Sequence, residues 1–315
     1  MRIISWNVNG LRSNIVDFTT SKNKKAREII SGSPLDQLIQ TYDPDIICFQ
    51  ETRMDKDQYH LFESESIKSK FPYQYWSSSK GSGGRSGNRY SGTSVWSRIE
   101  PYNVSYDIPG MNDLEGRIIQ LDFKFTTLIT TYTPNTGSNW DYRLQHWEPI
   151  LQKYLCSLSK SGRKVVYCGD FNIANKNDVW FGDLLEKKHS DETDPSLKKK
   201  YASKVYSKKR LHTGEQILAG YSLQERTAYQ ELLQSCDMID CFRHLNPDVI
   251  DQFSWFNMRI KGSFKNNIGW LIDRFIIPKC HKKTIKRSEI AHFIGVRNTE
   301  GNMISDHIPI FLEIK

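Results

Sequence analysis

Short apolar runs that end in polar side chains recur along this chain. Met1–Trp6 leads into Asn7-Val8-Asn9-Gly10, and Asp45–Phe49 into Gln50-Glu51-Thr52-Arg53. Leu128–Tyr132 leads into Thr133-Pro134-Asn135, and Lys164–Cys168 into Gly169-Asp170-Phe171-Asn172. At the far end, Ser305-Asp306-His307 opens the β-branched run Ile308–Ile314. Each run predicts a strand. The unbroken ones at 45–51 and 164–170 predict strands buried on both faces. Thr93–Trp96, Arg117–Phe125 and Leu128–Tyr132 predict consecutive strands joined by short turns, an antiparallel meander. Trp270–Ile277 predicts one strand with Asp273 inside it, which must then be paired or hydrogen-bonded. Helical spacing appears in three places. Pro34 precedes Leu35, Leu38 and Ile39 as a first-turn residue; Leu144, Trp147, Leu151, Tyr154 and Leu158 lie within 140–158; a third helix falls near Leu223–Leu233. Strands alternating with helices predict a layered α/β architecture.

Composition narrows this only modestly. The chain has 315 residues, 38% hydrophobic and 12% aromatic, which is a globular composition and not a disordered one. With no internal repeat and no Pro-rich linker, residues 1–315 read as one domain. The net charge of +8 and pI near 9.0 lean towards a polyanionic partner. Much of that excess lies in one stretch: Glu186–Arg210 carries nine Lys/Arg against four Asp/Glu. Residues 187–218 therefore read as a basic insertion, either a solvated loop or a contact to nucleic acid. A Gly/Ser-rich loop at 77–92 bears Arg85 and Arg89 and lacks the Gly-Lys-Ser/Thr ending of a P-loop. It could track a phosphate backbone or be plain surface. Six scattered cysteines without a Cys-x-x-Cys read as reduced, mostly buried thiols of an intracellular protein. The spacing of Cys236, Cys241, Cys280 and His281 is too irregular for a zinc site. The N-terminus enters a strand directly, so no signal peptide is expected, and no apolar run is long enough to span a membrane.

The polar strand ends form a set: Asn7, Asn9, Glu51, Tyr132, Asp170, Asn172, Asp273, Asp306 and His307. Asn7 and Asn9 lie two apart, on one face if the backbone is extended, although Asn and Gly equally close a turn. Gly169 before Asp170 allows close backbone approach. Hard oxygen donors without a thiolate cluster suit Mg²⁺, with Mn²⁺ as a possible substitute. An imidazole, a phenol and amides beside them fit hydrolysis of a phosphoester.

These residues also carry a resemblance. Ser5-Trp-Asn-Val-Asn-Gly-Leu-Arg12, Gln50-Glu-Thr-Arg53, Tyr90-Ser-Gly92, Glu115-Gly-Arg117, Tyr132-Thr-Pro-Asn135 and Gly169-Asp-Phe-Asn172 are followed by Gln224-Glu-Arg226, Phe242-Arg-His244, Gly269-Trp-Leu-Ile-Asp273 and Ser305-Asp-His307. Together they resemble the endonuclease/exonuclease/phosphatase superfamily, and within it the exonuclease III-like apurinic/apyrimidinic endonucleases. The resemblance implies a four-layer α/β sandwich, two packed mixed β-sheets flanked by helices. It implies a Mg²⁺ held by Glu51 with Asp306 and Asn9, the wider donor set being Asn7, Asn9, Glu51, Asp170, Asn172 and Asp306. Asp170, oriented by Asn7 and Asn172, would align or deprotonate the attacking water. His307, held by Asp273, would contact the scissile phosphate, and Tyr132 would steady the developing charge. Arg12, Arg53, Tyr90 and Asn135 would position the DNA backbone, while Trp255 and Trp270 would wall a pocket for a baseless sugar or simply pack in the core. The implied substrate is double-stranded DNA with abasic sites or blocked 3′ ends, taken by a monomer in the cytoplasm or nucleoid of a bacterium or the nucleus of a eukaryote. Two alternatives stand beside it: a module that binds damaged DNA without catalysis, and a phosphodiesterase acting on RNA or phosphoinositides. The chain departs from relatives that have Asp at the Asn9 position or Arg at the Ser138 position, and its 187–218 insertion exceeds the usual connector.

Overall fold

The structure is a computed structural model that describes residues 1–11, 28–29, 31–80, 90–137, 139–180, 218–291 and 304–315. Arg12, Arg85, Arg89, Ser138 and residues 187–217 of the basic insertion lie outside the described residues.

Fourteen strands build two six-stranded sheets and a short two-stranded ribbon among the described residues. The first sheet holds β1 (Arg2–Asn7), β2 (Ile46–Gln50), β3 (Tyr73–Ser77), β4 (Thr93–Ser97), β13 (Ile285–Ile290) and β14 (Ile310–Ile314) in the order β13-β14-β1-β2-β4-β3. The second holds β5 (Asn103–Ser105), β6 (Ile118–Asp122), β7 (Thr126–Tyr132), β8 (Lys164–Asp170), β9 (Met238–Asp240) and β12 (Asp273–Pro278) in the order β5-β6-β7-β8-β12-β9. β10 (Trp255–Phe256) pairs with β11 (Gly269–Trp270). Each large sheet has one parallel pair, β1 with β2 and β7 with β8, amid antiparallel neighbours. The mixed sheets and outer helices are those of the expected four-layer sandwich.

Side-chain alternation sorts the core into layers. Along β8, Val166 and Cys168 join the cluster between the sheets, with Ile4, Cys48, Val95, Leu128 and Phe275. Val165 and Tyr167 point the other way, onto Trp147, Leu151, Leu155, Tyr229 and Leu232 of the outer helices. Those helices are α2 (Glu148–Lys160), preceded by a π-helical stretch at Tyr142–Trp147, and α3 (Leu223–Ser235). On the other side α1 (Pro34–Tyr42) lays Leu35, Leu38 and Tyr42 into the core, with the Ser33 hydroxyl accepting from Asp36 N–H at its start.

Four sequence expectations need correction. The meander does not exist as drawn: β4 pairs with β2 and β3 in the first sheet, while β6 and β7 form a hairpin in the second. Apolar content alone carries no information about which sheet a strand joins. Trp270–Ile277 is not one strand either. β11 ends at Trp270 and β12 begins at Asp273, because the Ser254 hydroxyl takes the N–H groups of Ile272 and Asp273 and Asp178 O takes that of Leu271. Asn9 does not lie on extended backbone; its φ is 47°, so the chain turns after Asn7. Finally, two cysteines are not thiols: Cys156 on α2 and Cys236 at the end of α3 form a disulfide with Cα atoms 4.2 Å apart. Cys48, Cys168 and Cys241 are free and buried, and Cys280 is free and exposed.

Candidate active site

The register of the sheets gathers the polar strand ends at one edge of the sandwich. Asn7 closes β1 beside Gln50 of β2, so Glu51 follows directly at the same level. Tyr132 closes β7 beside Asp170 of β8, and Asp273, opening the antiparallel β12, pairs with Asp170. β14 runs antiparallel to β1, which brings Asp306 and His307, just before it, to the same edge. Carboxyl ends of parallel strands and amino ends of their antiparallel neighbours thus converge. Gly169 makes the closeness possible: its φ is 133°, and a Cβ there would sit 2.0 Å from Thr131 O.

The side chains interlock. The Asn7 amide donates from Nδ2 to Glu51 Oε1 (2.9 Å) and to Asp170 Oδ2 (3.0 Å), tying the two sheets together. Asp170 Oδ1 accepts from Asn172 N–H at 2.8 Å. His307 Nδ1 lies 2.8 Å from Asp273 Oδ2, and its Nε2 lies 3.8 Å from Asp170 Oδ2. Asp306 is held through Oδ1 by Asn9 Nδ2 and through Oδ2 by Trp255 Nε1, each at 3.0 Å. The Asn172 amide bonds Thr133 O and the Asn135 side chain. Asn9, Glu51, Arg53 and Asn172 all have φ near +50°, a left-handed conformation that costs a non-glycine residue roughly 1 kcal/mol or more. Four such residues at one edge mark where the fold holds strain.

Burial and charge set the protonation states. Burial drives Asp170 up to about 7, against the pull of His307 and with Asp273 adding to the rise. Burial would lower His307, but Asp273 outweighs it and raises the imidazole to about 10. Burial also opposes charge on Glu51, yet the Arg53 guanidinium and the Asn7 amide hold that carboxyl below its ordinary range. Tyr132 is pushed well up, by burial first and then by Glu51, so it remains a neutral phenol. The Arg117 guanidinium lies 4.6 Å from the centre of its ring and donates to Tyr132 O.

These groups open onto a cavity of about 790 Å³. Of the sequence-predicted residues, Glu51, Arg53, Tyr90, Tyr132, Asn135, Asp170, Asn172, Trp255, Trp270, Asp306 and His307 line it. Asn7, Asn9 and Asp273 stand behind that lining, and Arg12 lies outside the described residues. Trp255 and Trp270 meet edge to face at 5.7 Å and form one wall. Several contributors were missed. Trp180, Leu218 and Ile272 extend the aromatic wall, and Arg259 stands at the cavity from the loop between β10 and β11. Behind the lining, Ser305 Oγ donates to Asn7 O and accepts from His307 N–H. Buried Arg143 ties Pro134 O to Phe171 O, and Glu225 accepts from Thr136 Oγ1 and Gly220 N–H. Glu225 stood within the motif Gln224-Glu-Arg226 without a role of its own, and a charge among the apolar positions of a predicted helix was the available signal for Arg143. Ser305 stood in the sequence only as the head of the Ser305-Asp-His307 motif, with no role of its own.

For a metal, the donors offered are carboxylates, amides and one imidazole. Ligand atoms of Asp170, Asp273 and His307 lie within 4.8 Å of one another, although His307 and Asp273 already bond each other. Glu51 presents its second oxygen to a cation, Arg53, at 2.5 Å. Hard oxygen atoms in this number are what a divalent cation such as Mg²⁺ takes.

Comparison with known proteins agrees with this geometry. The Endonuclease/Exonuclease/phosphatase family matches residues 4–307. The chain is 32% identical to an exodeoxyribonuclease of Bacillus subtilis, covering 100% of this chain and 99% of that one. It is 30% identical to the DNA repair nuclease APEX1 of Danio rerio, covering 99% and 81%. In fold it is similar to an AP endonuclease from Archaeoglobus fulgidus, with TM-score 0.68 and 20% identity over 100% and 99% of the two chains. The 3′-5′ exonuclease NExo of Neisseria meningitidis is similar too, with TM-score 0.69, 22% identity and full coverage of both. The chain belongs to the endonuclease/exonuclease/phosphatase family, among its hydrolases of the exodeoxyribonuclease III and AP endonuclease type.

Proposed function

We propose that this chain is a Mg²⁺-dependent DNA repair endonuclease acting as a single catalytic domain and a monomer. It hydrolyses the phosphodiester on the 5′ side of an abasic site, leaving a 3′-hydroxyl, and also trims blocked 3′ ends and removes 3′ nucleotides. Its place is with the cell's DNA, in a bacterial nucleoid or a eukaryotic nucleus. The observation that carries the reading is the buried series Asp273, His307 and Asp170, opening with Glu51 onto a cavity walled by Trp255 and Trp270. Such a cavity takes a sugar without its base and disfavours an intact stacked nucleotide.

Each residue then has a role. Asp170, with a pKa of about 7, takes the proton of the attacking water near neutral pH, and Asn7 and Asn172 fix its orientation. His307, kept cationic by Asp273, donates to an oxygen of the scissile phosphate. The neutral Tyr132 phenol hydrogen-bonds the developing negative charge. Arg53, Tyr90 and Asn135 hold the flanking backbone; Arg12, which the resemblance gives the same role, lies outside the described residues. Glu51 and Asp306 would hold the Mg²⁺, with Asn7 and Asn9 as neighbouring amides; Mn²⁺ could replace it. When bound, that cation polarises the phosphate and offsets charge on the leaving oxygen.

The test is a duplex with one tetrahydrofuran abasic analogue, incubated with enzyme in Mg²⁺ and in EDTA. The expected product is a single nick 5′ to the analogue with an end that a polymerase extends, formed only with metal. Absence of cleavage above an intact duplex at enzyme excess would sink the proposal.

A further inference from the structure

Glu51 carries an internal counter-cation. Its Oε1 is taken by Asn7 Nδ2, and its Oε2 receives both Nη2 (2.5 Å) and Nε (3.2 Å) of Arg53. Glu51 is the more fixed partner, its side chain 15% exposed against 47% for Arg53. The backbone between them is clamped to the neighbouring segment, Thr52 N–H to Gly92 O and Arg53 N–H to Ser91 O. Any separation of the pair is therefore a swing of the Arg53 side chain. A divalent ion binds a carboxylate oxygen at roughly 2.0–2.6 Å. With the guanidinium on that same oxygen, two cations would stand within a few ångströms, and like charges at that distance repel strongly.

We propose, resting on the metal reading above, that Arg53 occupies the metal position at Glu51, that the divalent ion displaces it, and that the released guanidinium then binds a substrate phosphate. Metal loading is thereby coupled to DNA binding. Without metal, Arg53 neutralises Glu51 and is withheld from substrate; with metal, Glu51 exchanges one cation for another and the cavity gains a free arginine. Such coupling is reciprocal, so DNA phosphate must also tighten the metal. Arg259 supplies an internal comparison. It lines the same cavity, and its guanidinium makes no hydrogen bond or ion pair with another described residue.

Mn²⁺ binding to the full-length protein without DNA, followed by the EPR signal of the free ion, tests the first step. Arg53→Gln should bind Mn²⁺ roughly tenfold tighter than wild type, a coupling in the usual range. Arg259→Gln, which removes a charge from the same cavity without touching Glu51, should stay within about twofold of wild type. If Arg53→Gln binds no tighter, or if both variants tighten equally, displacement is overturned while the metal reading stands. If no variant binds Mn²⁺, both readings fall. The second step is read in an Asp170→Asn background, which slows turnover, on a timescale shorter than the residual cleavage. There, saturating Mn²⁺ should tighten binding of the abasic-analogue duplex, and adding Arg53→Gln should remove most of that gain. An undiminished gain overturns the transfer of Arg53 to phosphate.

Discussion

At the scale of single residues, Asp170 shows how a site tunes a carboxylate. Burial raises it to about 7, and one neighbour, His307, pulls it back while another, Asp273, pushes it on. Replacing it by Asn keeps the shape and one of the two accepted hydrogen bonds, from Asn7 or from Asn172, but removes the proton acceptor. Single-turnover cleavage by Asp170→Asn should fall by about 10²–10⁴ with the fold intact by circular dichroism. A fall of less than tenfold would mean that another group accepts the proton. His307 gives a prediction in stability. Its folded pKa of about 10 lies above the ordinary 6.5, so the folded state binds the proton more tightly than the unfolded one. That stabilisation is complete below about 6.5 and is lost as pH rises towards 10. Urea unfolding of metal-free protein should therefore show stability declining between those values, and His307→Gln should flatten the decline. Equal slopes in the two proteins would contradict a cationic His307.

At the scale of elements, the outer helices hold the loops that carry the site. The π-helical stretch before α2 presents Arg143 to Pro134 O and Phe171 O, on the residues immediately before Asn135 and Asn172. α3 begins with a capping box between Ser222 and Glu225, and the same Glu225 reaches Thr136 and Gly220 beside the cavity. Cys156 and Cys236 join these two helices across 80 residues of sequence, a span that contains Asp170, Asn172 and the basic insertion. Closing a loop of that length restricts the unfolded chain and is worth about 2–5 kcal/mol. Reductant should accordingly lower the midpoint of urea unfolding of the oxidised protein, and Cys156→Ser should show the lowered midpoint with or without reductant. A midpoint indifferent to reductant would show that the bridge adds nothing to stability.

At the scale of the whole molecule, charge is the property that reaches furthest. The +8 net charge is concentrated in the stretch containing Lys198–Lys200, Lys204 and Lys208–Arg210. If these residues meet phosphates, each contact steepens the fall of log affinity with log salt by roughly 0.9. Deleting 198–210 should then flatten that slope equally for intact and abasic duplex, with single-turnover cleavage at saturation unchanged. An unaltered slope would leave the insertion as a solvated loop.

How much of this was legible without coordinates depends on how local the physics is. Strand runs, the three helices, the glycine before Asp170 and the list of strand-end polar residues follow from periodicity and residue chemistry, both local. Asp273, Asp306 and His307 were visible because a charge beside an apolar run is costly unless something answers it. Long-range pairing was not legible. The segment after β4 could as well close a hairpin as cross to the second sheet, where β5 follows, and the difference lies in partners far along the chain. Thiol or disulfide at Cys156 and Cys236 turned on the approach of two helices, which spacing does not encode. The same holds within the site. The sequence by itself determined which side chains stand at strand ends, because alternation and apolar content are properties of each segment alone. Only the tertiary structure decided that Asn7 bridges Glu51 to Asp170, that Trp255 holds Asp306, and that Arg53 sits on Glu51. Those contacts arise from strand register and backbone turns that bring distant residues within 3 Å or so, and hydrogen bonding at that range is set by geometry that no single segment contains.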